Sequence, residues 1–484
     1  MENESNRLHI FFLPLVLQGH MIPMMDMAKT FATSGAKVTI ATTPICSTLF
    51  SRQIERVHQL GLDFNIQTVK LGLPEGWENL DAVTWSQNQV ELLDRFWKAL
   101  SLLREPVLHI LEEHRPDCLI ADLFFPWATD VAAQLKIPRL AFGGTSFFAM
   151  CTMRVIALYQ PHKRVSSESE TFIVPHLPGE IKLTRTQLPE YLRQELDTDF
   201  SNLAKEIVES ELKGYGSIFN SFYKLEKDYA DYYRNVLGRK AWHIGPVSLC
   251  NRDTVDKALR GMEASISQHE CLKWLDSKKP NSVIYACFGS LTKFSPQQLV
   301  ELAKGLEASR QDFIWIVRKD KNEEQDWLPD GFEERMDGKG LIIRGWAPQV
   351  LILDHESVGG FMTHCGWNSI MEGVCAGVPM VTWPMFAEQF YNEKLVTQVL
   401  QIGIGVGSKQ YADFGIGADF VSRDDIEVAV RRIMAGEEAE EMRRRAKKLG
   451  EMARKAVGEG GSSDSDLTSL IEELRQHKAA RESR

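Results

Sequence analysis

The chain has 484 residues, 44% hydrophobic and 25% charged, the make-up of an ordinary globular protein long enough for two large domains. Its 56 Lys and Arg against 66 Asp and Glu give a net charge of −10, which argues against a nucleic-acid binder, although local donors could still hold an anionic nucleotide. The eight cysteines form no CxxC pair, and several lie in apolar runs, as Cys118 and Cys287 do, a pattern of buried thiols in a reducing compartment rather than of a disulfide framework.

Residues 8–13 form a continuous apolar strand. The apolar run to Leu17 is only ten residues long, contains Pro14 and follows Glu2, Glu4 and a single Arg7, so it reads as a buried strand and not as a signal peptide. No run is long enough to span a bilayer, and a cytoplasmic protein is expected. A loop over residues 14–20 leads to a helix over 22–34, with apolar Met24, Met27, Ala28 and Phe31 at helical spacing, and then to a strand over 37–43. The pattern recurs as strand 118–121, helix 126–134 and strand 139–142. Such alternation predicts an α/β fold with a parallel sheet covered on both faces.

Residues 249–267 are polar and unpatterned and read as a linker. Beyond them the theme repeats. Strand 283–288 leads to Gly289-Ser290, helix 296–309 and strand 313–317, with further strands over 341–344, 359–363 and 380–383. Helices are expected over 388–400, 423–434 and 439–457. Two tandem doubly wound, Rossmann-like domains would face a cleft at the C-terminal ends of their strands. The expected bounds are 1–248 for the first domain, 249–267 for the linker and 268–465 for the second domain. The tail, 466–484, would be a helix packing back across the hinge.

Residues 346–389, WAPQVLILDHESVGGFMTHCGWNSIMEGVCAGVPMVTWPMFAEQ, carry the most chemistry. The segment has no Lys and no Arg, so an anion held there needs neutral donors. A short strand ending near Thr363, a Gly turn and a helix start near Asn368 make such a site, because free N–H groups and the helix dipole both favour negative charge. Asn368 and Ser369 have the chemistry of an N-cap. Trp346 offers a flat face to a base ring, Glu372 can accept from two ribose hydroxyls, and Glu388 and Gln389 can fork onto sugar hydroxyls. Packed core would explain any one of these residues; the constellation points to a sugar nucleotide. Other signals are weaker. Gly403-Ile-Gly405-Val-Gly407 reads as a tightly packed strand, and the triplets Asp197-Thr-Asp199 and Asp464-Ser-Asp466 read as solvated loop positions, since neither follows an apolar strand.

In the first half, Gln18-Gly19-His20 falls in the loop after the first strand, and Asp122 ends a strand expected at the same sheet edge. An imidazole titrates near neutrality and suits general-base work, and a neighbouring carboxylate would fix its tautomer.

Segment 346–389 resembles, without a gap, the signature box of the plant secondary-product UDP-glycosyltransferases: Trp346, Gln349, His355, the Thr363-His364-Cys365-Gly366-Trp367-Asn368-Ser369 run, Glu372, Gly377-Val378-Pro379 and Glu388-Gln389. Gly19-His20 and Ala121-Asp122 resemble the family's His–Asp dyad, Thr145 a threonine reaching donor sugar and phosphate, and Phe288-Gly289-Ser290 a second phosphate loop. The resemblance covers nearly the whole chain and implies a B-type glycosyltransferase fold, an N-terminal acceptor-binding domain and a C-terminal UDP-sugar-binding domain. It also implies inverting transfer with no metal and no cofactor, the UDP-sugar being a co-substrate. In its terms His20 and Asp122 are catalytic. Trp346 stacks on uracil, Ala347 gives it backbone hydrogen bonds, and Gln349 and Glu372 take the ribose. Ser290, His364, Asn368 and Ser369 take the diphosphate, and Trp367, Glu388 and Gln389 take the sugar. A terminal Gln is tied to glucose, so UDP-glucose is the expected partner, with a small lipophilic acceptor, no nucleic acid, and a monomeric state.

Aromatic groups near the proposed cleft loops, Trp77, Phe124, Phe125 and Phe148, suit a large apolar acceptor. Residues 19–29 and 73–80 resemble a subgroup acting on triterpenoid and steroidal sapogenins and on flavonoids. A sapogenin is the expected acceptor and a flavonoid or other phenolic the alternative. A phosphorylase or epimerase on the same fold would need cationic groups that the box lacks, and intact His20 and Asp122 argue against a silent sugar-nucleotide-binding protein.

Overall fold

The computed structural model describes residues 7–69, 89–194, 198–317, 328–412 and 418–483, with the backbone alone over 89–95. Its strands are β1 (His9–Leu13), β2 (Lys37–Thr42), β3 (Phe64–Thr68), β4 (Cys118–Asp122), β5 (Arg139–Phe142), β6 (Thr171–Ile173), β7 (Lys182–Thr184), β8 (Gly216–Phe219), β9 (Ala241–His243), β10 (Val283–Cys287), β11 (Asp312–Val317), β12 (Gly340–Arg344), β13 (Val358–Thr363), β14 (Met380–Thr382) and β15 (Gly403–Gly405). They form two compact units. One comprises Met1–Thr145, Glu195–Arg252 and Lys455–Arg484; the other comprises Ser146–Gln194 and Asp253–Arg454.

The first unit holds a seven-stranded sheet in the order β3-β2-β1-β4-β5-β8-β9, every pairing parallel. β1 and β4 are buried at every position, as strands covered on both faces must be, which is why they read as apolar runs, with polar residues only at an end, His9 and Asp122. The chain winds outward from β1 toward β3 and then crosses to β4, so the β1–β4 boundary is a topological switch point. The helix after β1, Gln18–Thr33, starts four residues earlier than the apolar spacing suggests, and His20 therefore stands in its first turn rather than in a loop. Leu17 at its N-cap offers no capping side chain, which is why the usual start signal is absent.

The tail helix is longer than read from sequence, Ser462–Glu482, and belongs to the first unit. Asp466 accepts from the His243 backbone N–H at 2.8 Å and pairs with Arg234 at 3.3 Å, while Lys478 and Arg481 reach Asp117 at 3.1 and 2.6 Å. Asp464 and Asp466 are thus structural partners, Asp464 accepting from Gly460 N at 2.9 Å, and not open loop positions. Asp199 pairs with Lys98 at 3.0 Å; Asp197 lies outside the described residues.

The second unit holds a six-stranded parallel sheet in the order β12-β11-β10-β13-β14-β15, with its own switch point between β10 and β13. Its core packs Ile284, Phe313, Trp315 and Met362 from the strands and Trp383, just past β14, against Leu302, Leu306 and Ile426 from the helices. Two departures from the expected boundaries concern this unit. It includes residues 146–194, with the helix Phe147–Tyr159 and the β6–β7 hairpin. It also takes in most of the expected linker, where Asp253 caps a short helix, Thr254–Leu259. The polar composition of that stretch hid the helix because its basic side chains pair with carboxylates about a hundred residues on. Lys257 reaches Asp354 and Arg260 reaches Glu372, both at 2.6 Å. Among the described residues no helix is long and apolar enough to cross a membrane.

Candidate active site

In the first unit the β1–β4 register pairs Leu13 with Ala121, so the segments leaving both strands emerge at one sheet edge. There His20 Nδ1 lies 2.6 Å from Asp122 Oδ2. Asp122 is fully buried and the His20 side chain is 19% exposed. The other carboxylate oxygen accepts from Phe124 N at 3.1 Å, and the Asp122 carbonyl accepts from Arg139 Nη2 at 3.1 Å. An ionised carboxylate accepts only, so Nδ1 carries the hydrogen and Nε2 is the proton-accepting nitrogen of the ring. Gly144 turns the backbone beside the imidazole at φ +62°, a conformation that side-chain-bearing residues rarely adopt. Next to it, Thr145 is buried and its Oγ1 has no hydrogen-bond partner, as expected of a hydroxyl that meets a ligand.

Of the four aromatic residues expected to line the acceptor pocket, Trp77 lies outside the described residues. Phe124 is half-buried with its ring edge-on to His20, centroids 5.7 Å apart. Phe125 and Phe148 are wholly buried and belong to the hydrophobic core, where their apolar area is better satisfied. Trp97, which sequence reasoning missed, stacks on Phe124 at 5.0 Å and packs against Phe200 at 5.4 Å. It gave no signal because an aromatic on an amphipathic helix reads as ordinary packing.

In the second unit, Cys287 at the end of β10 pairs with Thr363 at the end of β13, which brings the turn at Gly289-Ser290 beside His364. A Cβ on Gly289 or Gly366 would come within 2.6 and 2.5 Å of His364 Nε2, so both glycines are required by the imidazole between them. Burial pushes the His364 pKa down to about 4, and its Nδ1 is buried with no hydrogen-bond partner. A neutral imidazole at this position is a hydrogen-bonding group rather than a cation. The helix that follows is Trp367–Ala376 with Gly366 at its N-cap, so Asn368 and Ser369 occupy the first turn and do not cap it. Ser369 and Asn368 still stand at the positive end of the helix dipole. Trp367 is 1% exposed, and its indole packs in the interior.

The nucleoside side of the box is a connected network. Gln349 Nε2 donates to Glu372 Oε2 at 2.6 Å and to Ser369 Oγ at 3.2 Å, and Gln349 Oε1 accepts from the Tyr285 hydroxyl at 3.3 Å. Glu372 Oε1 accepts from Arg260 Nη1 at 2.6 Å. The box itself lacks Lys and Arg, but the fold brings Arg260 to its ribose side. Trp346 is held by its backbone, donating to Ser265 Oγ at 3.1 Å and accepting from Ser265 N at 2.8 Å, while its Nε1 is buried without a partner. Ala347 beside it is buried and its carbonyl accepts from Gln349 N at 2.9 Å. His355 is structural, bridging Ser357 Oγ at 2.9 Å and Asp276 at 3.1 Å.

At the sugar end, Gln389 Oε1 accepts from the backbone N–H groups of Met385 at 2.9 Å and Phe386 at 3.1 Å, so its Nε2 is the group left to meet a ligand. Glu388 at the N-cap of Gln389–Lys394 accepts from Asn392 Nδ2 at 3.2 Å, which also donates to the Cys365 carbonyl at 3.0 Å. Asn392 was not foreseen, since a buried amide in a helix gives no sequence signal.

The family model described as UDP-glucoronosyl and UDP-glucosyl transferase matches residues 82–441. A scopoletin glucosyltransferase of Nicotiana tabacum is 56% identical over 97% of this chain and 98% of its own length. A UDP-glucose flavonoid 3-O-glucosyltransferase of Fragaria ananassa is 54% identical over 98% of each. Among solved structures, Glycyrrhiza uralensis UGT73P12 complexed with glycyrrhetinic acid 3-O-monoglucuronide superposes with a TM-score of 0.91 at 42% identity, covering 99% of this chain and 97% of its own. With its two parallel-sheet Rossmann-like units and a family match over most of its length, the chain belongs to the plant secondary-product UDP-glycosyltransferases and is an enzyme of the B-type glycosyltransferase fold.

Proposed function

We propose that the enzyme transfers glucose from UDP-glucose, with inversion, to a phenolic hydroxyl of a small lipophilic plant metabolite. The observation that carries the catalytic part is the 2.6 Å bond between His20 and a fully buried Asp122. His20 Nε2 takes the acceptor proton as the acceptor oxygen attacks the anomeric carbon. The bond from that carbon to the UDP oxygen breaks, and UDP leaves with the electron pair. Asp122 stabilises the imidazolium that forms, by the logic of a His–Asp pair in acyl transfer. Charge developing on the leaving diphosphate would meet Ser290, neutral His364, Asn368, Ser369 and the helix N-terminus. Uracil would lie on Trp346 beside Ala347, the ribose on Gln349 and Glu372, and the glucose against Glu388 and Gln389. No metal or cofactor enters this scheme.

The acceptor class rests on two supports. Trp97 and Phe124 form an aromatic stack against His20, which suits a flat ring. A phenol, with a pKa of about 10, also yields its proton to an imidazole more readily than an aliphatic alcohol does. The relatives named for scopoletin and flavonoid are the more identical ones. A sapogenin, the acceptor expected from sequence, is the second reading, supported by the glycyrrhetinic acid 3-O-monoglucuronide bound to UGT73P12. A panel of coumarins, flavonols and triterpenoid alcohols incubated with UDP-glucose and read by mass spectrometry separates the two. Turnover of terpenoid alcohols without phenols would reverse the choice, and no transfer to any acceptor would remove the activity.

A further inference from the structure

We propose that Arg260 is a positioning residue for the donor nucleotide, holding Glu372 so that the site distinguishes a ribonucleoside diphosphate from its 2′-deoxy form. The proposal rests on the assignment of Glu372 to the ribose. Arg260 and Glu372 are 7% and 5% exposed at the side chain and 2.6 Å apart. A carboxylate offers about four acceptor positions. Arg260 takes one on Oε1 and Gln349 one on Oε2, each at 2.6 Å, so the carboxylate is locked in plane with acceptor capacity left on each oxygen. Two such oxygens match the spacing of vicinal 2′- and 3′-hydroxyls. Without the guanidinium, Glu372 would be a buried carboxylate short of its charged partner, and Gln349 alone would not fix its plane.

The segment that carries Arg260 is braced for this role. Asp253 Oδ1 caps its helix at 2.7 Å, Lys257 pairs with Asp354 at 2.6 Å, and Ser265 is bonded in both directions to Trp346. The stretch 253–265 is therefore tied along the box at Asp354, Glu372 and Trp346, on the base and ribose side. A Lys at 260 would keep the charge but lose the planar fork that fixes the carboxylate.

Calorimetric titration with UDP and with 2′-deoxy-UDP tests the proposal without an acceptor. The native enzyme should bind the deoxy form about 10- to 100-fold more weakly, the range for a hydrogen bond to a charged group. Arg260→Lys should shrink that ratio to within about threefold and weaken UDP about tenfold; Arg260→Gln, which still donates to Glu372, should do the same. Thermal unfolding of each variant verifies that it is folded. Folded Arg260 variants that keep the native ratio while Glu372→Gln loses it would overturn the role of Arg260 alone. If Glu372→Gln keeps the ratio as well, the ribose assignment itself falls.

Discussion

His20 and Asp122 are 102 residues apart in sequence and 2.6 Å apart in space. The cause is the register of two parallel neighbours, β1 and β4, which ends both strands at one edge of the sheet. Burial of the carboxylate and its bond from Phe124 N leave it one orientation, and that orientation presents Oδ2 to the ring. The base is thus pre-aligned in the folded chain.

Replacing His20 by Ala should lower kcat by about 10² to 10⁴, the usual contribution of a general base. Asp122→Asn should cost less if the carboxylate acts mainly by orientation. UDP affinity by calorimetry should be unchanged in the His20 variant, because the donor box belongs to the other compact unit. A His20→Ala enzyme with native turnover would remove the base assignment.

Activity should survive EDTA. The acidic triplet near the C-terminus is committed, Asp464 to the Gly460 N–H and Asp466 to His243 and Arg234, and the leaving diphosphate has neutral donors at His364 and the helix beginning at Trp367. Recovery of lost activity by added magnesium or manganese after chelation would sink this account.

Much of this arrangement was legible in the sequence. β5 and the helices Pro296–Ser309 and Arg423–Met434 fall where the apolar periodicity places them, because strands buried on both faces and amphipathic helices leave strong patterns. The donor motif was legible because its spacing is fixed by one strand, one turn and one helix. What the sequence hid are long-range side-chain partners. Arg260 sits in a polar stretch with no pattern, and only the fold brings it to Glu372 across 112 residues. Phe125 and Phe148 could not be told from pocket residues, since a core aromatic and a ligand-facing one are the same residue type in similar sequence surroundings. His20 was read into a loop because its helix begins without a capping side chain.

Gln389 should recognise the donor sugar by donating, not accepting, since its oxygen is held by Met385 and Phe386. Gln389→Glu keeps that oxygen but removes the donor, and should raise the KM for UDP-glucose about tenfold, the value of one hydrogen bond, while UDP alone binds as before. Equal use of UDP-glucose and UDP-galactose by the native enzyme would contradict the glucose assignment.

The last expectation concerns pH. Burial lowers the His364 pKa from 6.5 to about 4. Above pH 6.5 the ring is neutral whether the chain is folded or not, and it adds no pH dependence. Between 6.5 and about 4 the unfolded chain takes up a proton that the folded chain refuses, so stability falls as pH falls, and below 4 the loss levels off. His364 as a whole residue is only partly covered although its Nδ1 is buried, so the linkage value is discounted to about 1–2 kcal/mol. His9, lowered to about 4 mainly by its own burial, acts in the same direction in the first unit and remains in any His364 variant. His364→Asn should therefore lose less stability than the native chain between pH 6.5 and 4 in urea titrations, with the two curves parallel above pH 7. Binding of UDP should oppose the native loss, because a diphosphate beside the imidazole favours its protonated form. Parallel native and His364→Asn curves across the whole range would show that the imidazole titrates normally, and the donor site would then hold a cation at mildly acid pH.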